Sequence, residues 1–170
     1  MADSVKKMVA RSRFVQSGTL DDIDRKILAV LQADGRISLA DLSAKVGLSS
    51  SPCLRRIRIL ERAGIIARYV AVLDQDKVGL PVSVFVSIKL ESQREQALER
   101  FNKAIARWPE VLECYLMTGP RDYLLRIVVA DLSAYERFLK QKLTKVDGIA
   151  SIESSFALEQ VKYSHVLPIA

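Results

Sequence analysis

The 170-residue chain carries only two cysteines, one tryptophan and one histidine. Cys53 and Cys114 lie far apart with no neighbouring pair, which argues against a disulfide framework or a cysteine metal cluster and fits a reducing, cytoplasmic setting. His165 stands near the C-terminus with no Cys, Asp or Glu at ligand spacing, so it suits neither a metal site nor a Ser-His-Asp arrangement. No glycine-rich loop of the phosphate-cradling type occurs. Long apolar runs are also missing: nothing would span a bilayer, and the start, MADSVKKMVARSRFVQSG, has no apolar core of signal-peptide length. From these absences the expectation is a non-enzymatic chain without catalytic residues, metal, cofactor or membrane partner.

What the chain has is charge, unevenly placed. Residues 1–69 hold 13 Lys/Arg against 7 Asp/Glu, and residues 70–170 hold 13 against 13, so the whole surplus of +6 sits in the first part. A cationic module followed by a neutral one implies that the first meets a polyanion and the second has another task.

In the first part, Leu20, Ile23, Ile27, Leu28 and Leu31 recur at helical spacing behind Asp21, Asp22 and Asp24, carboxylates suited to a helix start. Gly35 ends this helix. Ser38 caps a second, with Leu39, Leu42 and Val46 as its buried stripe, and Gly47 breaks it. A third, capped by Ser49 or Ser51 and tolerating Pro52 in its first turn, runs to about Ala63. Two helices joined through Gly47-Leu48-Ser49 read as a helix-turn-helix whose second member enters the major groove of double-stranded DNA. Cys53, Leu54, Ile57 and Leu60 form its inner face, which leaves Ser51, Arg55, Arg56 and Arg62 outward with Arg58 flanking. Ser38, Ser49, Ser50 and Ser51 with Arg55, Arg56, Arg58 and Arg62 are therefore the candidate DNA contacts: hydroxyls and free amides for phosphate, guanidinium groups for phosphate or guanine.

From Ala67 the period changes to two. RYVAVLD reads as a strand and Asp74 to Pro81 as a turn-rich connector. Strands over Val82–Leu90, Val111–Met117, Tyr123–Val129 and Ile149–Gln160, with helices over Gln93–Trp108 and Leu132–Val146, give the order βαββαβ of ferredoxin-like folds. The apolar face Val84, Val86, Ile88, Ile127 and Val129 exceeds what one small domain needs, so part of it is expected to pack against a second copy. Only Phe85 offers a stacking aromatic on SVFVSIKL, against an RNA-binding sheet.

The stretches LDDIDRKILAVLQADGRISLADLSAKVGLSSSPCLRRIRILERAGII, ECYLMTGPRDYLLRI and SSFALEQVKY together resemble the Lrp/AsnC (leucine-responsive/asparagine regulator) family of bacterial transcription regulators, from Leu20 to the C-terminus. Residues 1–19, basic and polar, read by themselves as a flexible leader that the resemblance does not cover. The resemblance implies an α+β chain with a winged or simple helix-turn-helix domain (20–66), a hinge strand and linker (67–81), and a ferredoxin-like effector-binding and oligomerisation domain (82–170). It further implies control of amino-acid metabolism through promoter DNA, homodimers assembling to octamers, and a small amino-acid effector held between dimers. The effector residues it implies are Met117, Thr118, Gly119, Asp122 and Tyr123 at the hairpin, with Ser154 and Ser155 from the last strand. Asp122 would accept from an α-ammonium, and Gly119 would admit an amide to a carboxylate. An architectural DNA binder with a purely assembling C-terminal module is the competing expectation.

Overall fold

The computed structural model describes residues 20–169, so the basic leader lies outside the described residues. The chain divides into two units: one holds the N-terminal part to Ala71 together with the tail from Lys162, and the other is Val72–Val161.

The first unit is a three-helix frame: α1 (Asp22–Ala33), α2 (Leu39–Val46) and α3 (Ser50–Arg62). α1 begins in a reciprocal capping box, in which the Asp24 amide donates to Asp21 Oδ1 at 2.8 Å and the Asp21 amide to Asp24 Oδ2 at 3.4 Å. At the start of α2 the Ser38 hydroxyl accepts from the Asp41 amide at 3.1 Å. Gly47 ends this helix at φ 73°, a left-handed conformation that costs a side-chain-bearing residue about 1–2 kcal/mol. Ile27, Leu28, Leu42, Val46, Cys53, Ile57 and Leu60 close the core between the three helices.

In the second unit, β1 (Val82–Leu90), α4 (Glu95–Ile105), β2 (Val111–Leu116), β3 (Tyr123–Val129), α5 (Leu132–Gln141) and β4 (Ile149–Phe156) follow the expected order. The sheet order is β2-β3-β1-β4, antiparallel throughout. Each helix packs its apolar stripe on one sheet face, where Val84, Val86, Ile88, Leu125 and Ile127 are buried with Phe101, Ile105, Tyr135 and Phe138. Here the expectation of a second copy on this face is corrected: the chain's own two helices cover it. The opposite face carries Ser83, Phe85, Ser87 and Lys89 of β1. Gln75 of the connector reaches onto it, with its Nε2 donating to Ser83 Oγ at 3.1 Å and its Oε1 accepting from Arg126 at 3.1 Å.

Residues 67–73 differ from their alternating pattern. They form no strand in the single chain, because no neighbouring strand offers them a ladder, and Tyr69, Val70, Val72 and Leu73 stay exposed. β4 also ends at Phe156, four residues before Gln160, and residues 162–169 group with the helical unit instead of the sheet.

Candidate functional site

α3 presents two faces of different chemistry. Cys53, Ile57 and Leu60 point into the core, fixing the helix from behind. At 100° per residue, Ser51, Arg55, Arg58 and Arg62 fall within one stripe roughly 60° wide on the opposite side, and all four are exposed. Among the described residues no carboxylate pairs with Arg55, Arg58 or Arg62. The start of α3 is open as well. Ser49 occupies the cap position without a side-chain cap hydrogen bond, and no acidic residue sits in the first turn, so the positive end of the helix stays available to an anion.

Three of the expected contacts have other work. The Ser38 hydroxyl is committed to the cap of α2 and to Asp41 Oδ2 at 2.6 Å, while Ser50 Oγ lies 3.4 Å from Ser43 Oγ and ties the two helices of the motif together. Arg56 is the correction with the largest consequence. It sits about 140° from Ser51 around the helix, at the rim of the core. Its Nη1 meets Asp21 Oδ2 at 2.7 Å and Asp24 Oδ1 at 2.8 Å. With 28% of its side chain exposed, it clasps α3 to the capping box of α1 instead of facing outward. The Asp24 amide, then the Arg56 guanidinium, hold the Asp21 carboxyl below the usual carboxylate value, and the two aspartates raise Arg56 in turn.

In the sheet unit, Met117, Thr118 and Gly119 form the exposed tip of the β2–β3 hairpin, and the Met117 amide closes it by donating to the Asp122 carbonyl at 2.8 Å. Gly119 adopts φ 111°, and no atom lies within 4 Å of where a Cβ would stand, which leaves its backbone open to approach. Asp122 is a different case, 4% exposed. One carboxylate oxygen accepts from the Leu90 amide at 2.7 Å, the other from Gln93 Nε2 at 2.6 Å and Lys89 Nζ at 3.5 Å. Both oxygens are engaged by the chain itself, which gives Asp122 a scaffold role that pins the hairpin to the end of β1. Tyr123 is buried too. Its hydroxyl donates to Asn102 Oδ1 at 2.9 Å, and burial pushes the phenol up to about 12.

Ser154 and Ser155 do not share a face. Ser154 pairs with Val86 and bonds the Tyr135 hydroxyl on the helix side, whereas Ser155 pairs with Phe85 on the other. Because β2 and β4 are the two edges of the sheet, β3 and β1 separate the hairpin strand from these serines within one chain.

Comparison with known proteins places these two units. A model described as the Lrp/AsnC ligand binding domain matches residues 83–167, and one described as winged helix-turn-helix DNA-binding matches residues 20–67. The Bkd operon transcriptional regulator of Pseudomonas aeruginosa is 48% identical over 150 residues, covering 88% of this chain and 98% of that protein. The chain belongs to the Lrp/AsnC family. Among solved Lrp/AsnC structures, an AsnC family regulator from Agrobacterium tumefaciens superposes with a TM-score of 0.83 at 49% identity, over 87% of this chain and 96% of that one. A regulator from Neisseria meningitidis, solved as its L-methionine complex, gives 0.84 at 41% identity, over 88% and 97%. As a member of the Lrp/AsnC family the protein is a DNA-binding transcriptional regulator, and its exposed α3 stripe lies within the matched winged-helix segment.

Sequence reading missed Asp21 and Asp24 as partners of Arg56, and Lys89, Leu90 and Gln93 as the cage around Asp122. The first was detectable, since angular bookkeeping alone sets Arg56 apart from Arg55, Arg58 and Arg62. The second involves residues about 30 positions away in sequence, and no local signal announces it. Among the described residues, no helix is long and apolar enough to cross a membrane, and no group of His, Cys, Asp and Glu could hold a metal ion.

Proposed function

We propose that the protein regulates genes of amino-acid metabolism by binding promoter DNA through α3, under the control of a small amino acid bound to its sheet unit between dimers. The observation that carries the DNA half is the stripe Ser51, Arg55, Arg58 and Arg62 beside the open start of α3. A helix anchored by a buried apolar face and edged with unpaired guanidinium groups offers phosphate contacts and two-pronged base contacts together.

Support for assembly comes from residues 67–73, an alternating, largely apolar and unladdered segment suited to pairing with another copy. Two copies would set two α3 helices against successive major-groove faces, giving a site with two-fold character, and an octamer would add further sites along bent DNA. For the effector, the L-methionine complex of the Neisseria relative supports an amino acid as the ligand class. The open hairpin tip, Met117, Thr118 and Gly119, remains the favoured contact, with Asp122 and Tyr123 holding it in place. Ser154 and Ser155 lie on the other edge strand, which the hairpin reaches through Arg121 at Ser151 and Glu153, so their participation is the less direct part of the reading. Such a ligand changes regulation only if its affinity differs between assembly states.

The test joins footprinting on promoter fragments with a thermal-shift panel of the twenty amino acids. A protected site and a raised melting temperature for at least one amino acid are the expected results. Absence of any protected site at modest ionic strength rejects the DNA assignment. A flat panel rejects the effector and leaves an architectural binder, and a 19 kDa monomer in gel filtration rejects the assembly.

A further inference from the structure

The C-terminal segment leaves the sheet unit and finishes in the helical one. There the Leu167 amide donates to Gln32 Oε1 at 2.6 Å, and Gln32 Nε2 donates to the Leu167 carbonyl at 3.2 Å. A single α1 side chain thus reads both polar groups of one tail residue, as a strand neighbour would. Two residues on, Ile169 packs against the cluster formed by Ile27, Leu28, Leu42, Val46, Cys53, Ile57 and Leu60, the same cluster that holds α3 from behind. The Ile169 amide turns back to the Leu167 carbonyl at 2.9 Å across Pro168.

The hold is shallow. Tyr163, Val166 and Leu167 keep their side chains exposed, and only Ile169 reaches the core. Such a seat can be vacated without unfolding the frame. At its other end the segment continues directly from β4 through Ala157–Val161, five residues that reach at most about 18 Å when fully extended.

We propose that residues 162–169 form a regulatory strap: seated, they complete the core behind the DNA-reading helix, and a displacement of β4 withdraws them and loosens α1 and α3. For what displaces β4, the strap rests on the reading of the sheet unit as effector-binding; its seat on Gln32 and the core does not. The route runs from β4 through a short connector to α1, and from α1 to α3 through the shared core and through Asp21, Asp24 and Arg56. Seated and withdrawn, the strap would be a two-state element that two binding events could bias, the physical requirement for coupling between sites.

Hydrogen exchange on the full chain tests the seat. Deletion of residues 162–170 should lower protection of α1 and α3 amides about tenfold while leaving β1 and β3 unchanged, and Gln32→Ala should shift α1 in the same direction. A synthetic peptide of residues 162–170 added to the truncated protein should restore that protection. Unchanged α1 and α3 protection after truncation overturns the strap. For coupling, six Gly/Ser residues inserted between Gln160 and Val161 should keep α1 protected yet remove the change in promoter affinity that each of the twenty amino acids, supplied singly, produces in the unmodified protein. An insertion variant that responds like the unmodified protein overturns the coupling. If the unmodified protein responds to none of them, the effector reading is rejected together with the coupling, and the seat is judged by exchange alone.

Discussion

Replacing Asp122 by alanine separates a scaffold role from a ligand role. The buried Leu90 amide would lose its acceptor, a loss of about 1–3 kcal/mol for an unsatisfied buried donor. Gln93 would return to solvent at a net loss of about 0.5–1.5 kcal/mol. The Lys89 pair, at 3.5 Å with the lysine 35% exposed, adds less than about 1 kcal/mol. Together the sheet unit should lose roughly 3 kcal/mol, which at a urea slope of about 1.5 kcal/mol/M lowers the unfolding midpoint by about 2 M. Asp122→Asn keeps an acceptor for Leu90 but turns an N–H pair toward the donors of Gln93 and Lys89, so its loss should be smaller, about 1 kcal/mol. Urea titration followed by Trp108 fluorescence reports this unit directly, since Trp108 packs against its core. If the alanine variant unfolds at the unmodified midpoint and loses only an amino-acid response, the carboxylate serves a ligand and the scaffold argument is wrong.

Arg56→Ala should weaken binding to all DNA sequences alike and lower the melting temperature of the helical unit, because it releases the clasp on Asp21 and Asp24. A selective change in base preference, read by binding-site selection, would contradict this. Each of Arg55→Ala and Arg58→Ala should flatten the dependence of log affinity on log salt by about one unit where the arginine meets a phosphate, or relax base preference where it meets a base; unchanged slope and unchanged preference in both remove α3 from the interface. The Asp21 carboxyl titrates below its ordinary value in the fold, so its stabilisation is fully present above about pH 4 and is lost as pH falls through the depressed folded value. The unfolding midpoint of the unmodified protein should fall with pH across that range, and that of Asp21→Asn should depend on pH less. Gly47→Ala should destabilise the helical unit by about 1 kcal/mol through its φ of 73° alone, since nothing lies within 4 Å of the added carbon; a neutral result in denaturant titration would show that the turn relaxes.

The elements most legible in sequence were those whose signals are local. The α2 boundaries followed from Ser38 and Gly47, and the limits of β1 and β3 from uninterrupted apolar alternation or runs. Boundaries blurred where the pattern outlasts the hydrogen bonds: β4 ends at Phe156, with one further bond from the Ala157 amide to the Ser83 carbonyl, and the second helix of the sheet unit gives way to a 3-10 turn at Leu143–Lys145. RYVAVLD shows the limit of periodicity, since alternation expresses a capacity to pair and a strand needs a neighbour. At the candidate site, the outward stripe of α3 was readable from spacing, but the fates of Arg56 and Asp122 were decided by partners 29 to 35 residues away. The apolar sheet face was recognised correctly as buried and assigned the wrong cover, because sequence counts apolar residues without saying which helix lands on them.

Ser49 leaves α3 without the terminating side-chain bond that Asp21 gives α1 and Ser38 gives α2. That bond is worth about 0.5–2 kcal/mol to a helix, so the unliganded regulator keeps its reading element less firmly ended than its neighbours. Under the proposed DNA contact, a phosphate oxygen received by those amides would supply what the sequence withholds. Grip and local order would then rise together: the nucleic acid would finish a piece of protein secondary structure, and part of the association free energy would be conformational in origin.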